Sequence, residues 1–431
     1  MNILIIGSGG REHALAWKAS QGQGVETVFV APGNAGSALE ANIENVAISV
    51  DDFSGLAKFA QENHVGLTIV GPEQPLVDGV VDYFQERDLK CFGPSKGAAQ
   101  LEVSKAFTKD FLARFNIPTA EYQNFTEVEP ALAYLKEKGA PIVVKADGLA
   151  AGKGVIVAET LEQAEAAVKD MLSGNAFGDA GCRVVIEEFL SGEEASFIVM
   201  VDGTNVVPMA TSQDHKRVGN GDTGLNTGGM GAYSPAPVVT PEIHQRIMNE
   251  VIYPTVEGMA KEGNDYTGFL YAGLMIDADG TPKVIEYNCR FGDPETQPIM
   301  MRLQSDLPQL CLQALNTAGG GLADVETQWD SRAAVGVVMA AGGYPAAYNK
   351  GDVISGIPAE DEHQKVFQAG TSLDEKGQVL THGGRVLCAT ALGENVTEAQ
   401  KHAYAAVAQI SWKDAFYRDD IAYRAIEREQ S

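Results

Sequence analysis

Three apolar runs that each stop at a glycine corner constrain the N-terminal fold most. Asn2-Ile-Leu-Ile-Ile ends in Gly7-Ser-Gly-Gly10, Thr27-Val-Phe-Val leads to Pro32-Gly-Asn34, and Leu67-Thr-Ile-Val ends in Gly71-Pro-Glu73. Continuous aliphatic runs mark strands buried on both faces. Helical stretches, Glu12 to Ser20 and around Leu76 to Arg87, lie between or after them. Buried strands alternating with helices read as a parallel, doubly wound sheet, so residues 1–103 are an α/β domain. In such sheets ligands bind beyond the carboxyl ends of the strands, where all three glycine corners fall.

The first corner is a weak dinucleotide fingerprint. Gly7-Ser-Gly9-Gly10-Arg11-Glu12 carries Glu12 where the third glycine of G-x-G-x-x-G belongs. A glycine turn feeding a helix still offers amides to one phosphate. A purely structural tight turn is the alternative, and the sequence leaves both open.

From Ser104 the pattern changes. Helices are expected from Lys105 to Phe115 and from Glu129 to Lys138, followed by Pro141-Ile-Val-Val-Lys145-Ala-Asp-Gly148-Leu-Ala-Ala-Gly152-Lys153-Gly154-Val-Ile-Val-Ala. A P-loop needs four residues between its glycines, then Lys-Ser/Thr and a helix. Here three residues separate Gly148 from Gly152, Lys153 precedes Gly154, and a β-branched run follows. The segment is a glycine flap on a hairpin. An unpaired ammonium inside a strand is costly, so Lys145 needs a partner, a nucleotide phosphate or a structural glutamate.

The strand Arg183 to Leu190, with Glu187, Phe189 and Leu190, has the look of a linker holding a planar base, and Glu194 beyond it could take ribose hydroxyls. Asp214-His-Lys216-Arg adds charge near where phosphates would lie. Asn226-Thr-Gly-Gly229-Met-Gly-Ala-Tyr-Ser-Pro-Ala-Pro is too rich in Gly and Pro for a regular element, and such loops line ligands. A long structural helix from Pro241 to Glu262 precedes a hairpin, Gly268 to Asp277 and Lys283 to Asn288, turned at Asp279-Gly280.

That hairpin leads into Glu286-Tyr-Asn288-Cys-Arg290-Phe-Gly-Asp293-Pro-Glu-Thr-Gln297. Strand alternation puts Glu286 and Asn288 on one face. Magnesium takes one or two such oxygens together with substrate phosphates. Arg290 adds a forked cation on the same face, and Gly292 with Pro294 turns the chain.

Composition bounds the partners. The 431 residues are 45% apolar and 21% charged, as in ordinary globular proteins of two to four domains. A net charge of -26 argues against nucleic acid or an anionic membrane. Five scattered cysteines without C-x-x-C spacing read as reduced, mostly buried thiols, and no histidine pair suggests zinc. No apolar run of about 18 residues occurs, and the chain opens straight into a strand, so neither a membrane span nor a signal peptide is expected. Residues 325–431 read as a small α+β cap. They hold strands Ala333 to Ala340 and Val386 to Ala391, a helix Val396 to Ile410, no catalytic charge cluster, and Gly342-Gly-Tyr-Pro345 at a ligand edge.

These motifs, in this order, resemble the ATP-grasp ligases and, within them, the glycinamide ribonucleotide synthetase family, over essentially the whole chain. Arg290-Phe-Gly-Asp-Pro-Glu-Thr-Gln297 is the most diagnostic; Gly7–Ala14, Ala31–Gly36, Lys145–Gly154 and Gly228–Pro235 support it. The resemblance implies a pre-ATP-grasp domain (1–103), an ATP-grasp domain (104–324, with a flap-bearing subdomain at about 120–192) and a C-terminal domain (325–431). It implies that glycine, ATP and 5-phosphoribosylamine give glycinamide ribonucleotide, ADP and phosphate through glycyl phosphate, in the cytoplasm. Magnesium, with manganese as a substitute, would sit on Glu286 and Asn288. ATP would be held by Lys105, Lys145, Gly148, Gly152, Lys153, Gly154, Glu187, Phe189, Leu190, Glu194 and Lys216. The other substrates would meet Gly9, Gly10, Arg11, Asn34, Glu73, Asp214, Asn226, Gly229 and Arg290, with Arg290, Lys145 and Asp293 as catalytic residues. It also allows transient contacts with neighbouring purine-pathway enzymes. The rival expectations are another carboxylate–amine ligase, a nucleotide sensor, or a dinucleotide-binding oxidoreductase.

Overall fold

The computed structural model describes residues 1–148, 154–173 and 183–431. Five parallel strands form the N-terminal sheet in the order Ile43–Asn45, Val28–Pro32, Asn2–Gly7, Val65–Val70, Cys91–Phe92. Alternation sends Leu4 and Ile6 into one core with Leu56 and Phe84, and Ile3 and Ile5 into another with Leu15 and Leu310. Each such burial is worth about 2 kcal/mol, which is why the run is apolar throughout. The winding reverses at Asn2–Gly7, so the crevice opens beside Gly7. Backbone bonds gather the corners there: Gly33 N–H donates to Gly7 O (3.1 Å) and Gly71 N–H to Ile6 O (3.0 Å).

Two expected helices differ in detail. The stretch around Leu76 to Arg87 is two helices, Glu73–Asp78 and Val80–Gln85, because Gly79 between them takes a left-handed φ of 98°. The long helix is present but widens to a π turn at Met248–Ile252, between Pro241–Ile247 and Tyr253–Lys261. Pro254 has no N–H to donate back into that turn, and a wider turn accommodates the gap.

An antiparallel sheet of Tyr122–Phe125, Val184–Glu188, Ile142–Ala146 and Val155–Ala158 carries the flap segment. Helices Val128–Lys138 and Leu161–Leu172 bury Leu135 and Val168 against its Val144 and Ile186. A second antiparallel sheet orders Val206–Pro208, Glu193–Asp202, Thr267–Ile276 and Pro282–Asn288. Its last two strands are the expected hairpin, turned at Gly280 with φ 73°.

The third sheet runs Gln213–Asp214, Gly231–Ser234, Ala333–Ala340, Arg385–Gly393, Gln364–Gln368. Gly231–Ser234 is thus a buried strand inside a stretch expected to hold no regular element. Tertiary pairing overrides its poor propensity: a Cβ on Gly231 would stand 2.7 Å from Gly336 O, so only glycine lets the strands close. Cys91, Cys289, Cys311 and Cys388 are free and buried; Cys182 lies outside the described residues. No helix among the described residues is long and apolar enough to cross a membrane.

Candidate active site

The hairpin strand Pro282–Asn288 delivers Glu286 and Asn288 to one edge, facing lysines from three other segments. Lys216 lies 3.3 Å from Glu286 and 2.5 Å from Glu194. The Lys216 ammonium drives the Glu286 carboxyl down to about 2 against the opposing effect of burial, with Lys145 and Lys105 adding to the pull. Burial opposes the Lys216 charge, yet Glu194 and Glu286 outweigh it and raise its pKa. A carboxylate this firmly ionised, two residues from an amide oxygen on the same strand face, is a donor set suited to magnesium. Among the described residues no cluster of three or more His, Cys, Asp or Glu could hold a metal alone, so phosphates would complete the shell.

Lys145 has a protein partner. It pairs with Glu187 at 3.0 Å and donates to Ile285 O at 3.2 Å. Glu187 also holds Lys109, at 3.0 Å, a lysine the sequence reading missed. Burial first, then neighbouring Lys145, lowers Lys109 to about 8 although Glu187 opposes both. Glu187 therefore points inward to two lysines. Phe189, 40% exposed, and half-buried Leu190 follow the strand end. Lys105 donates to Gly148 O (2.8 Å), and Gly154 O accepts from Ala146 N–H (2.8 Å), closing the flap's base. Gly152 and Lys153 lie outside the described residues.

Arg290 bridges to the N-terminal domain. It pairs with Glu73 (2.8 Å) and Glu102 (3.1 Å) and donates to Asn288 Oδ1 (3.2 Å). Burial pushes the Glu102 carboxyl up, against the Arg290 charge. No sequence signal marks Glu102; it matters only because the fold brings Gln100–Val103 under the hairpin.

Asp293 is the hub beyond. Its carboxylate accepts from Gln297 Nε2 (3.0 Å) and Arg11 N–H (3.4 Å) and stands 3.6 Å from Arg385 Nη2. Two amides at the start of this helix, Gly10–Ser20, are thus met by internal carboxylates, Arg11 N–H by Asp293 and the N-cap Gly9 N–H by Glu12 at 2.6 Å. A Cβ on Gly9 would sit 2.9 Å from Glu12 Oε2, and one on Gly10 2.6 Å from Gln297 Nε2. A pyrophosphate would meet the Glu12 carboxylate there, which disfavours the dinucleotide alternative. Arg11 pairs with Glu12 (2.5 Å) and donates to Phe291 O (3.3 Å).

Asn34 is fully committed: its Nδ2 donates to Ser8 O (2.9 Å) and Gln368 O (2.8 Å), and its Oδ1 accepts from Ser37 N–H (3.1 Å). Asp214 lies against Gly229, where a Cβ would stand 2.7 Å from Asp214 Oδ1. Burial, with Glu295 beside it, pushes the Asp214 carboxyl up. Asn226 ends the separate hairpin strand Thr223–Asn226, pairing with Arg217.

A cavity of about 660 Å³ opens between Gly9, Asn34, Asp293 and the C-terminal residues Tyr344, Ser372 and Arg385. Tyr344 was expected at a ligand edge. The guanidinium of Arg385, in a domain expected to hold no catalytic charge cluster, was not foreseen. The signal lay in Gly383-Gly384 before it, where a Cβ on Gly384 would strike the Tyr344 ring.

Residues 1–102, 103–296 and 334–424 match the phosphoribosylglycinamide synthetase N, ATP-grasp (A) and C domains. The chain is 73% identical over 431 residues to the phosphoribosylamine–glycine ligase of Vibrio parahaemolyticus, and 71% identical over 432 to that of Escherichia coli O157:H7, covering both chains of each pair completely. The crystal structure of the Thermotoga maritima phosphoribosylamine–glycine ligase superposes with a TM-score of 0.82 at 35% identity, over 98% of this chain and 100% of that one. A biotin carboxylase domain from Hydrogenobacter thermophilus shares the fold, with a TM-score of 0.72 at 16% identity over 96% and 91%. By its three domains and its full-length relatives, the chain belongs to the phosphoribosylglycinamide synthetase family of ATP-grasp ligases.

Proposed function

We propose that the chain joins glycine to 5-phosphoribosylamine at the expense of ATP, giving glycinamide ribonucleotide, ADP and phosphate in purine biosynthesis. The observation that carries the reading is the convergence of Lys105, Lys145 and Lys216 on one ionised carboxylate, Glu286. A glycine carboxylate oxygen attacks the γ-phosphorus of ATP, and the bond to ADP breaks to leave glycyl phosphate. The ribosylamine nitrogen then attacks the acyl carbon, the bond to phosphate breaks, and the nitrogen loses one proton. Such chemistry asks mainly for positioning and charge neutralisation.

Lys145 and Lys216 exchange Glu187, Glu194 and Glu286 for phosphate oxygens, while Glu194 takes ribose hydroxyls. Phe189 and Leu190 flank the base. Arg290, held by Glu73 and Glu102, orients the glycine carboxylate at the strand edge. Magnesium, or manganese in its place, would be held by Glu286 and Asn288 and would neutralise charge on the transferring phosphoryl group. The cytoplasm as location and transient contacts with neighbouring purine-pathway enzymes belong to the same reading.

The test is ADP release from complete mixtures with glycine and freshly made phosphoribosylamine, omitting each component in turn. Phosphorus NMR of the complete mixture should show ADP and orthophosphate; stoichiometric AMP and pyrophosphate would sink the acyl-phosphate route.

A further inference from the structure

The two walls of the 660 Å³ cavity differ in what they leave free. On the N-terminal wall Asn34 is fully bonded, and Asn45 donates to Asn34 O (2.7 Å) while accepting from Ser37 Oγ (2.7 Å); the Ser8 hydroxyl there has no hydrogen-bond partner among the described residues. On the C-terminal wall the side chains of Ser372 and His382 face the cavity and have no hydrogen-bond partner among the described residues. Arg385 directs Nη1 to Gly228 O (2.7 Å), Asp293 O (2.7 Å) and Gly229 O (3.3 Å). Those bonds fix the guanidinium plane and leave Nε and Nη2 without an acceptor at hydrogen-bond distance; the nearest carboxylate, Asp293, is 3.6 Å from Nη2.

A pre-set guanidinium fork beside a free hydroxyl and a free imidazole matches a tetrahedral oxyanion better than a neutral sugar. The cavity is within the usual size of small-molecule sites. We propose that Arg385, Ser372 and His382 bind the phosphate of the sugar-phosphate substrate, so that the C-terminal hairpin selects phosphorylated over unphosphorylated ribosylamine. This rests on the ligase reading above.

Calorimetry on the full chain with ribose 5-phosphate and with ribose tests it. The wild type should bind the phosphate ester and not ribose. Ser372→Glu, which sets a like charge against the ester, and His382→Ala, at an exposed position, should each weaken ribose 5-phosphate binding, the former at least about tenfold. Both should raise the KM for phosphoribosylamine and leave that for ATP unmoved, while Ser372→Thr retains wild-type binding. Melting curves confirm that the variants fold. Equal binding of ribose 5-phosphate by wild type, Ser372→Glu and His382→Ala overturns the proposal, as does wild-type affinity for ribose equal to that for its phosphate, or no binding of either. Failure of the wild type to release ADP from the complete mixture would instead strike the ligase reading.

Discussion

The proposed nucleotide side and the proposed sugar-phosphate side both face anions, yet they are built on opposite plans. Lys145, Lys109 and Lys216 each have a carboxylate within 3.0 Å, from Glu187 or Glu194. Around the cavity, Arg385 holds backbone carbonyls, and the side chains of Ser372 and His382 hold nothing among the described residues. Burial explains the difference for Lys109 and Lys145, though not for Lys216, which is no more enclosed than Arg385. Lys109 and Lys145 are almost fully enclosed, and an ammonium there without a counter-ion is expensive, so Glu187 supplies one; on the proposed reading it stands in for nucleotide phosphates. The cavity is open enough for water to satisfy its donors. On that reading, binding on the first side is an exchange of partners and on the second the filling of vacant bonds.

The harshest way to break this contrast is to remove a stand-in. Glu187→Gln strands two buried lysines at once, and losing one partner of a buried pair costs about 3 kcal/mol or more. Chemical denaturation should register that loss, and saturating ATP should recover part of it by supplying anions. A variant as stable as the wild type, with or without ATP, would mean the lysines need no internal counter-charge. Next comes Glu286→Gln, which keeps shape but weakens the hold on the metal. At about 1.4 kcal/mol per factor of ten, a loss of several kcal/mol predicts a fall in kcat of about a hundredfold or more, in a variant that still folds. Near-normal turnover at low magnesium would place the metal elsewhere.

The same contrast explains what could be read from the chain. Asn2–Gly7, Val65–Val70 and the hairpin ending at Asn288 were legible because burial on both faces and a tight turn leave local marks. That Glu286 and Asn288 share one strand face followed from strand alternation alone. Glu187 was assigned to the base because its tie to Lys145 depends on the register Val143↔Glu187, which no local pattern encodes. Glu102 and Arg385 were missed for the same reason: each meets the site across a domain contact. Gly231–Ser234 was read as irregular because its strand character comes from its partners.

A milder perturbation asks whether the glycine turn and the cavity are linked. Gly9→Val would press on Glu12 and Asp293, whose carboxylate oxygens lie 2.9 and 3.4 Å from the new Cβ. Asp293 would then shift against Arg385. The KM for phosphoribosylamine should rise about tenfold and ATP affinity change little, with stability down by about 1 kcal/mol from overpacking. Normal ribosylamine kinetics in a folded variant would show that the turn packs without touching the cavity.

The smallest effect expected is a pH dependence confined to the nucleotide side. His215 sits between Asp214 and Lys216, and burial first, then the Arg418 guanidinium, holds its pKa down at about 4. Its Nε2 accepts from Ala422 N–H at 3.1 Å, so the neutral ring carries its proton on Nδ1. Protonating Nε2 would break the bond that docks the C-terminal helix Tyr423–Gln430 behind the site. Because the folded pKa lies below the unfolded one, the unfolded chain binds more protons between about pH 6.5 and 4, and stability falls as pH drops through that window. At about pH 5.5 the loss is about 1 kcal/mol, a shift in Tm of about 1 °C for a chain of this size. Asp214, whose carboxyl is raised, contributes with the opposite sign, so the comparison must be made against a variant. In His215→Gln, whose side-chain oxygen can accept from Ala422 without titrating, the melting temperature should fall less between neutral pH and 5.5 than in the wild type. Parallel losses in the two proteins would remove His215 from the account and leave the acid sensitivity to the carboxylates around it.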